Sequence, residues 1–229
     1  MAGTERTQSL PSSHGQRDAR DRLDAQKKTP TARERETEAV QARREAFALK
    51  QPTLDPTRLV FVDESGFRLG SSPRFGWAPR GVDAPGKHVQ GRWQTITMIG
   101  ALALDGFRGF MTIDAGTSSD VFTAFVEQEL APKLRVGDLV VMDNLSAHKI
   151  ANVVTAIRSV GADVLFLPPY SPEYNPIERA WAKLKDFIRR LPTLTREAFD
   201  TAVASAMAAI SNDDIRGWTQ FAGYDLNSM

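Results

Sequence analysis

The chain has 229 residues, 29 of them basic and 28 acidic, for a net charge of +1. That length suits one large domain or two small ones, and the balanced charge argues neither for nor against a nucleic-acid partner. With no cysteine, disulfides, thiolate metal sites and cysteine nucleophiles are excluded.

Composition divides the sequence near residue 50. Residues 1–30 hold few large apolar side chains and cannot bury enough surface to offset their ordering entropy, so disorder is expected. Residues 31–50, TARERETEAVQARREAFALK, are rich in helix formers, with Thr31 placed to cap an exposed or docked helix. The basic excess of the chain lies in this tail and linker, residues 1–50. A globular domain is expected over residues 51–229. The opening residues lack the apolar core of a secretory signal, and no apolar run approaches the ~20 residues of a membrane span. A soluble, cytoplasmic, nucleoid-associated protein is the expectation.

Within the domain, RLVFVDE reads as a buried strand. Residues 70–91, rich in Gly, Pro and Arg, read as a loop or loose hairpin. WQTITMIGALAL has the β-branched alternation of a strand, and Asp105-Gly106 offers a tight turn into a second, FRGFMTID. SSDVFTAFVEQELAPKL opens on a Ser-Ser-Asp cap and carries apolar residues at helical spacing. DLVVMD is a further buried strand. Residues 147–160 form a helix stopped by Gly161, DVLFLP is the fifth strand, and NPIERAWAKLKDFIRR and REAFDTAVASAMAAI are helices. Short turns allow the first strands to pair antiparallel, whereas the later ones alternate with helices and need parallel crossovers. The prediction is an α/β fold, a mixed five-stranded sheet flanked by helices.

Two strands end in acids. LVFVDES runs into Asp63 and Glu64, and LVVMDNLSAHK runs into Asp143 and Asn144. A carboxylate at the end of a buried strand costs desolvation energy unless an amide, a cation or a metal ion compensates it. Carboxyl ends of strands are where ligand sites form in such sheets. Asp63 and Glu64 point to opposite faces, so one of the two faces any shared site; Asp63 is preferred and Glu64 is the alternative. A third acid, Glu178, follows in LPPYSPEYNPIERAWAKLKDF. There Asn175 is placed to cap a helix with Pro176 at its first position, and Ile177, Trp181, Leu184 and Ile188 mark the buried face. On spacing alone, Asn-x-x-Glu is a capping box and needs no metal. Asp143, likewise, has a plain reading as a turn or helix cap.

The surrounding residues change that balance. An acid ending the first strand, Asp-Asn ending the fourth, and Pro-Tyr-Ser-Pro-x-x-Asn-Pro-Ile-Glu together resemble the DDE transposases, specifically the mariner-like superfamily and its bacterial insertion-sequence relatives. Thirty-four residues separate Asp143 from Glu178, the spacing of that superfamily. GWAPRG resembles its loop after the first acid. The likeness covers about residues 50–225 and implies an RNase H-like fold. It also implies that Asp63, Asp143 and Glu178 hold Mg²⁺, with Mn²⁺ able to substitute, for DNA strand cleavage and strand transfer. Transposon ends and target DNA would be the partners, with a homodimer during transposition.

Arg74, Arg80, Lys87 and Arg92 in the loop are candidate phosphate contacts. His148 and Lys149 at the start of a helix, and Lys183 and Lys185 beyond Glu178, are candidate DNA contacts as well. Their plain reading is a solvated surface, and for His148 a packed or capping role. Helix-turn-helix modules of the kind that precede the catalytic domain in complete transposases are not evident in the tail. A truncated catalytic domain is therefore expected. The alternatives are a non-catalytic, DNA-binding or dimerising regulator and a different RNase H-like nuclease.

Overall fold

The computed structural model describes residues 33–71, 78–83, 94–114, 116–143, 147–191 and 195–226, with the side chains of Arg33 and of residues 147–150 left out. Helix α1 (Glu38–Lys50) comes first, followed by β1 (Leu59–Arg68), β2 (Thr95–Ala103) and β3 (Gly106–Ile113). Helix α2 (Ser119–Phe125) runs on through a π-type turn to Leu130. Then come β4 (Leu139–Met142), α3 (Ala147–Ser159), β5 (Asp163–Phe166), α4 (Ile177–Arg189), α5 (Arg196–Ala208) and α6 (Asn212–Phe221). The strands form one sheet in the order β3-β2-β1-β4-β5. β1–β2 and β2–β3 are antiparallel, and β1–β4 and β4–β5 are parallel. The mixed five-stranded sheet predicted from the pattern is the one observed.

Both faces of the central strands are buried, which is why they read as continuous apolar runs. Alternation sends Phe61, Phe67, Ile96, Met98, Leu102 and Val141 to one face, under α1, α4, α5 and α6. Val60, Val62, Ile99, Ala101, Val140 and Met142 go to the other, under α2 and α3. On α4 the buried residues are Ile177, Ala180, Trp181, Leu184 and Ile188, the stripe expected of a helix packed on a sheet.

Three local expectations are corrected. The helix expected over 31–50 is a 3-10 turn, Arg33–Glu36, followed by α1 from Glu38, and Thr31 lies outside the described residues. The hairpin turns on Leu104 and Asp105, with Gly106 already opening β3 at φ 128°, a conformation that suits a residue without Cβ. Asn175 makes no side-chain cap on α4; its side chain is buried and its Oδ1 has no hydrogen-bond partner.

Candidate active site

β1 and β4 lie side by side in parallel, and Val62 opposite Met142 is their last registered pair. The next residue on each strand is an acid: Asp143 leaves the sheet after β4, whereas Asp63, expected at a strand end, lies inside β1, which runs on to Arg68 paired with β2. Both line a cleft of about 170 Å³ whose walls include Val62, Phe122 and Met142. Glu64 lines the same cleft, but alternation along β1 places it on the opposite face from Asp63.

Asp63 is anchored by a residue whose polar role the sequence did not advertise. Trp181 Nε1 donates to Asp63 Oδ2 at 2.9 Å. Sequence periodicity identified Trp181 as a core residue, and it is one, at 2 % exposure. A buried indole N–H needs an acceptor, and its position one turn after Glu178 was the available signal. Gly100 makes this contact possible. It pairs with Asp63 across the β1–β2 ladder, and a Cβ there would sit 2.7 Å from Trp181 Cη2.

Glu178 stands in the first turn of α4 with its own amide bonded to the Asn175 carbonyl at 3.2 Å. The capping-box reading does not hold, because the Asn175 amide is bonded to the Pro172 carbonyl at 2.9 Å and no side chain caps the helix. The Glu178 carboxylate is thus left without a local structural role.

The electrostatics couple the three acids. Burial pushes the Asp63 carboxyl up to about 7, the charges of Glu178 and Asp143 add to the rise, and the Glu64 amide and Trp181 indole only partly oppose it. Glu178 is also raised, first by desolvation and then by Asp143, against the pull of Lys185. Asp143 is raised by desolvation, although it keeps an exposed edge. The protein around it removes enough water to disfavour charge even where its surface stays open. Lys185 is half-buried and lowered, by burial and by Arg189, while Glu178 and Asp63 hold it up. It is therefore a cation close to Glu178 and Asp63.

No ion pair involving Asp63, Asp143 or Glu178 is found among the described residues. Nor, among them, are three acid or histidine side chains gathered tightly enough to enclose an ion. Asp63 and Asp143 share one cleft, while Glu178 borders a different one between α4 and α6. The donor set still fits a hard divalent cation, being all oxygen, mutually repelling and partly desolvated.

The other candidates are dispersed. Arg80 is exposed in the turn around residues 80–82. Arg74, Lys87, Arg92 and Asn144 lie outside the described residues, and His148 and Lys149 are placed only by backbone, in the first turn of α3. Lys183 is paired with Asp214 at 2.5 Å.

A β3-β2-β1-β4-β5 sheet with antiparallel β1–β2–β3, parallel β1–β4–β5 and helices on both faces defines the RNase H-like class. Within it, the chain belongs to the DDE superfamily endonucleases, whose family model matches residues 58–200. Among solved structures, the chain resembles the Mos1 transposase paired-end complex with left transposon end (TM-score 0.70, 15 % identity, 88 % of this chain and 64 % of that one). It also resembles the catalytic domain of Mos1 mariner transposase (TM-score 0.60, 14 % identity, 84 % of this chain and 91 % of that one). A third match is the Mos1 mariner paired end complex with Mn (TM-score 0.68, 16 % identity, 87 % and 64 %). The chain thus spans under two thirds of the transposase chains in those complexes. No curated protein matches the sequence. Among the described residues, no helix is long and apolar enough to cross a membrane.

Proposed function

We propose that this chain is the catalytic domain of a DNA transposase, cutting a DNA strand by hydrolysis and joining the freed 3′-hydroxyl to a target strand. The observation that carries the reading is the placement of Asp63, Asp143 and Glu178 by β1, β4 and α4, without ion pairs among the described residues and close enough that Glu178 and Asp143 raise Asp63 and Asp143 raises Glu178. These three would hold Mg²⁺, or Mn²⁺ in its place, and the partner would be DNA at transposon ends and target. Bound there, the metal would supply charge neutralisation at phosphorus and a more acidic water.

The chain's own residues set the conditions. Trp181 fixes one Asp63 oxygen through its N–H, which leaves the other to point elsewhere and restrains the carboxylate's rotation. Desolvation where the β1–β4 pairing ends favours neutral acids, so the charged forms need an external cation. Lys185 offers a positive charge beside the acids, suited to a phosphate oxygen entering the site. The structurally similar Mos1 complexes contain a transposon end and Mn, which is consistent with the reading.

Nicking of supercoiled plasmid by the purified chain, with Mg²⁺ or Mn²⁺ and with Asp143→Ala alongside, tests this. Metal-dependent nicking that the substitution abolishes is the expected result. Equal inactivity of both proteins, also when fused to a DNA-binding module, would overturn it in favour of a non-catalytic regulator.

A further inference from the structure

The turn that carries Glu178 has no cap of its own. Pro176 begins α4 without a side-chain cap, and the loop before it contains Tyr170 at φ 56°, a left-handed conformation without the freedom of glycine. Such a segment keeps one geometry only if its surroundings impose it. The imposing contacts come from α1, which lies outside the region matched by the family model.

Arg44 is the centre of those contacts. Its guanidinium donates to the Tyr170 carbonyl at 3.2 Å and to Ser171 Oγ at 2.5 Å, and it forms an ion pair with Glu173. It also lies over the Tyr174 ring, 5.5 Å from its centroid. One planar fork thus grips four residues of a five-residue stretch, which a lysine could not reproduce. Around it, Arg35 reaches Glu173 at 2.6 Å, and Phe47 packs on Tyr174 with centroids 4.9 Å apart. From the other side Tyr224 Oη donates to the Tyr174 carbonyl at 2.9 Å. The Arg44 side chain is only 12 % exposed, so this is not a loosely solvated surface pair.

We propose that Arg44 is a positioning residue for Glu178. By clamping residues 170–174 it fixes the start of α4, and with it where the third carboxylate sits relative to Asp63 and Asp143. This rests on the catalytic reading of the three acids. The helix supplying the clamp precedes the nuclease fold in sequence, so whatever bears on α1 has a direct mechanical route to the site.

Amide hydrogen exchange on the metal-free full chain tests the proposal, because the amides of Tyr174, Asn175, Glu178 and Arg179 are all hydrogen-bonded within this turn. In Arg44→Ala they are expected to exchange about tenfold faster, while the β1, β2 and β4 amides keep their rates. The Mn²⁺ concentration giving half-maximal plasmid nicking should rise severalfold, with the rate at saturating metal changing less. Arg44→Lys should recover part of both effects, and Arg43→Ala, an exposed neighbour on α1, neither. Unchanged exchange in the turn, or acceleration spread equally over the whole chain, would overturn the proposal. Should Arg44→Ala fail to fold, Arg44→Lys is judged by the same exchange criterion. If wild type shows no metal-dependent nicking, the catalytic reading falls, whereas the exchange result separately decides whether Arg44 holds the turn.

Discussion

The parallel pair β1–β4 carries buried acids near both of its ends, and the two ends treat them differently. At the amino end Asp138, 2 % exposed, accepts from Arg108 at 3.1 Å and from the Arg135 amide at 2.8 Å, with Arg58 at 4.0 Å. Arg108 is itself held by Asp105 and the Lys133 carbonyl. At the carboxyl end Asp63 has a neutral indole N–H, and neither Asp143 nor Glu178 has an ion-pair partner among the described residues. A partly buried carboxylate is costly in either place. Folding pairs the amino-end acid with cations, although Asp138 Oδ1 has no hydrogen bond and faces Arg58 at 4.0 Å; the carboxyl end has no such cation pairs among the described residues, which is the mark of a site arranged for something outside the chain.

Opposite responses to neutralising the two ends would sharpen that contrast. Asp138→Ala takes one of the two carboxylates from the buried Arg108, leaving it Asp105, and removes the acceptor of the Arg135 amide; it should cost about 3 kcal/mol, read from the urea midpoint. Asp63→Asn keeps an acceptor for Trp181 and removes the penalised charge. It should stabilise the metal-free protein by on the order of 1–3 kcal/mol at pH 8 while abolishing nicking. Destabilisation by both substitutions would erase the distinction between the ends.

The same asymmetry has a pH signature. Asp63 titrates near 3.8 when unfolded and at about 7 when folded. Between those values the folded state holds a proton that the unfolded state has lost, so stability falls as pH rises through the window. Below it the group contributes nothing, and above it the full penalty applies. Acids lowered by hydrogen bonds and nearby cations, such as Asp163 and Asp214, pull the other way. The difference between wild type and Asp63→Asn therefore isolates the effect. That difference should be small at pH 4, grow towards pH 7 and shrink again with added Mg²⁺, which binds the deprotonated form. A difference independent of pH would show that Asp63 is not held protonated by its surroundings.

A smaller effect is expected at the floor of the site. Gly100→Ala places a methyl group against Trp181 and Phe107, both packed on the same core. Displacing the indole should cost about 1–3 kcal/mol and weaken its bond to Asp63, so thermal melting and nicking should fall together. Unchanged melting would mean that the indole has room to shift.

How much of this was legible in the sequence follows from the range of the interactions involved. β1 and β4 were readable because burial on both faces writes a continuous apolar run, and the acids closing those runs stood out against it, although β1 itself continues past Asp63 to Arg68. The stripe on α4 was readable from its spacing of four, three and four. The Asn175 cap was misjudged because a local sequence cannot show that the side chain is buried in the fold. Trp181 donating to Asp63, Gly100 making room for it and Arg44 gripping residues 170–174 all join segments far apart in sequence. No periodicity encodes such contacts. Whether three carboxylates converge on an ion is likewise a matter of tertiary geometry, and spacing spoke only to their identity.

The smallest effect is expected at Lys183, on the same helix as Glu178 and Lys185. Its ammonium pairs with Asp214 at 2.5 Å on a partly exposed surface, and Asp214 also accepts from the Ser211 amide and hydroxyl, both at 2.8 Å. That capping box at the start of α6 survives the loss of Lys183. Lys183→Ala should therefore cost less than about 1 kcal/mol. Because its charge is already matched within the protein, it should also leave the salt dependence of DNA binding unchanged. Lys185 is coupled to Glu178 and Asp63 instead, and its removal should lower that dependence by about one unit of slope. A drop of similar size for Lys183→Ala would show that the pair with Asp214 opens to meet the phosphate backbone.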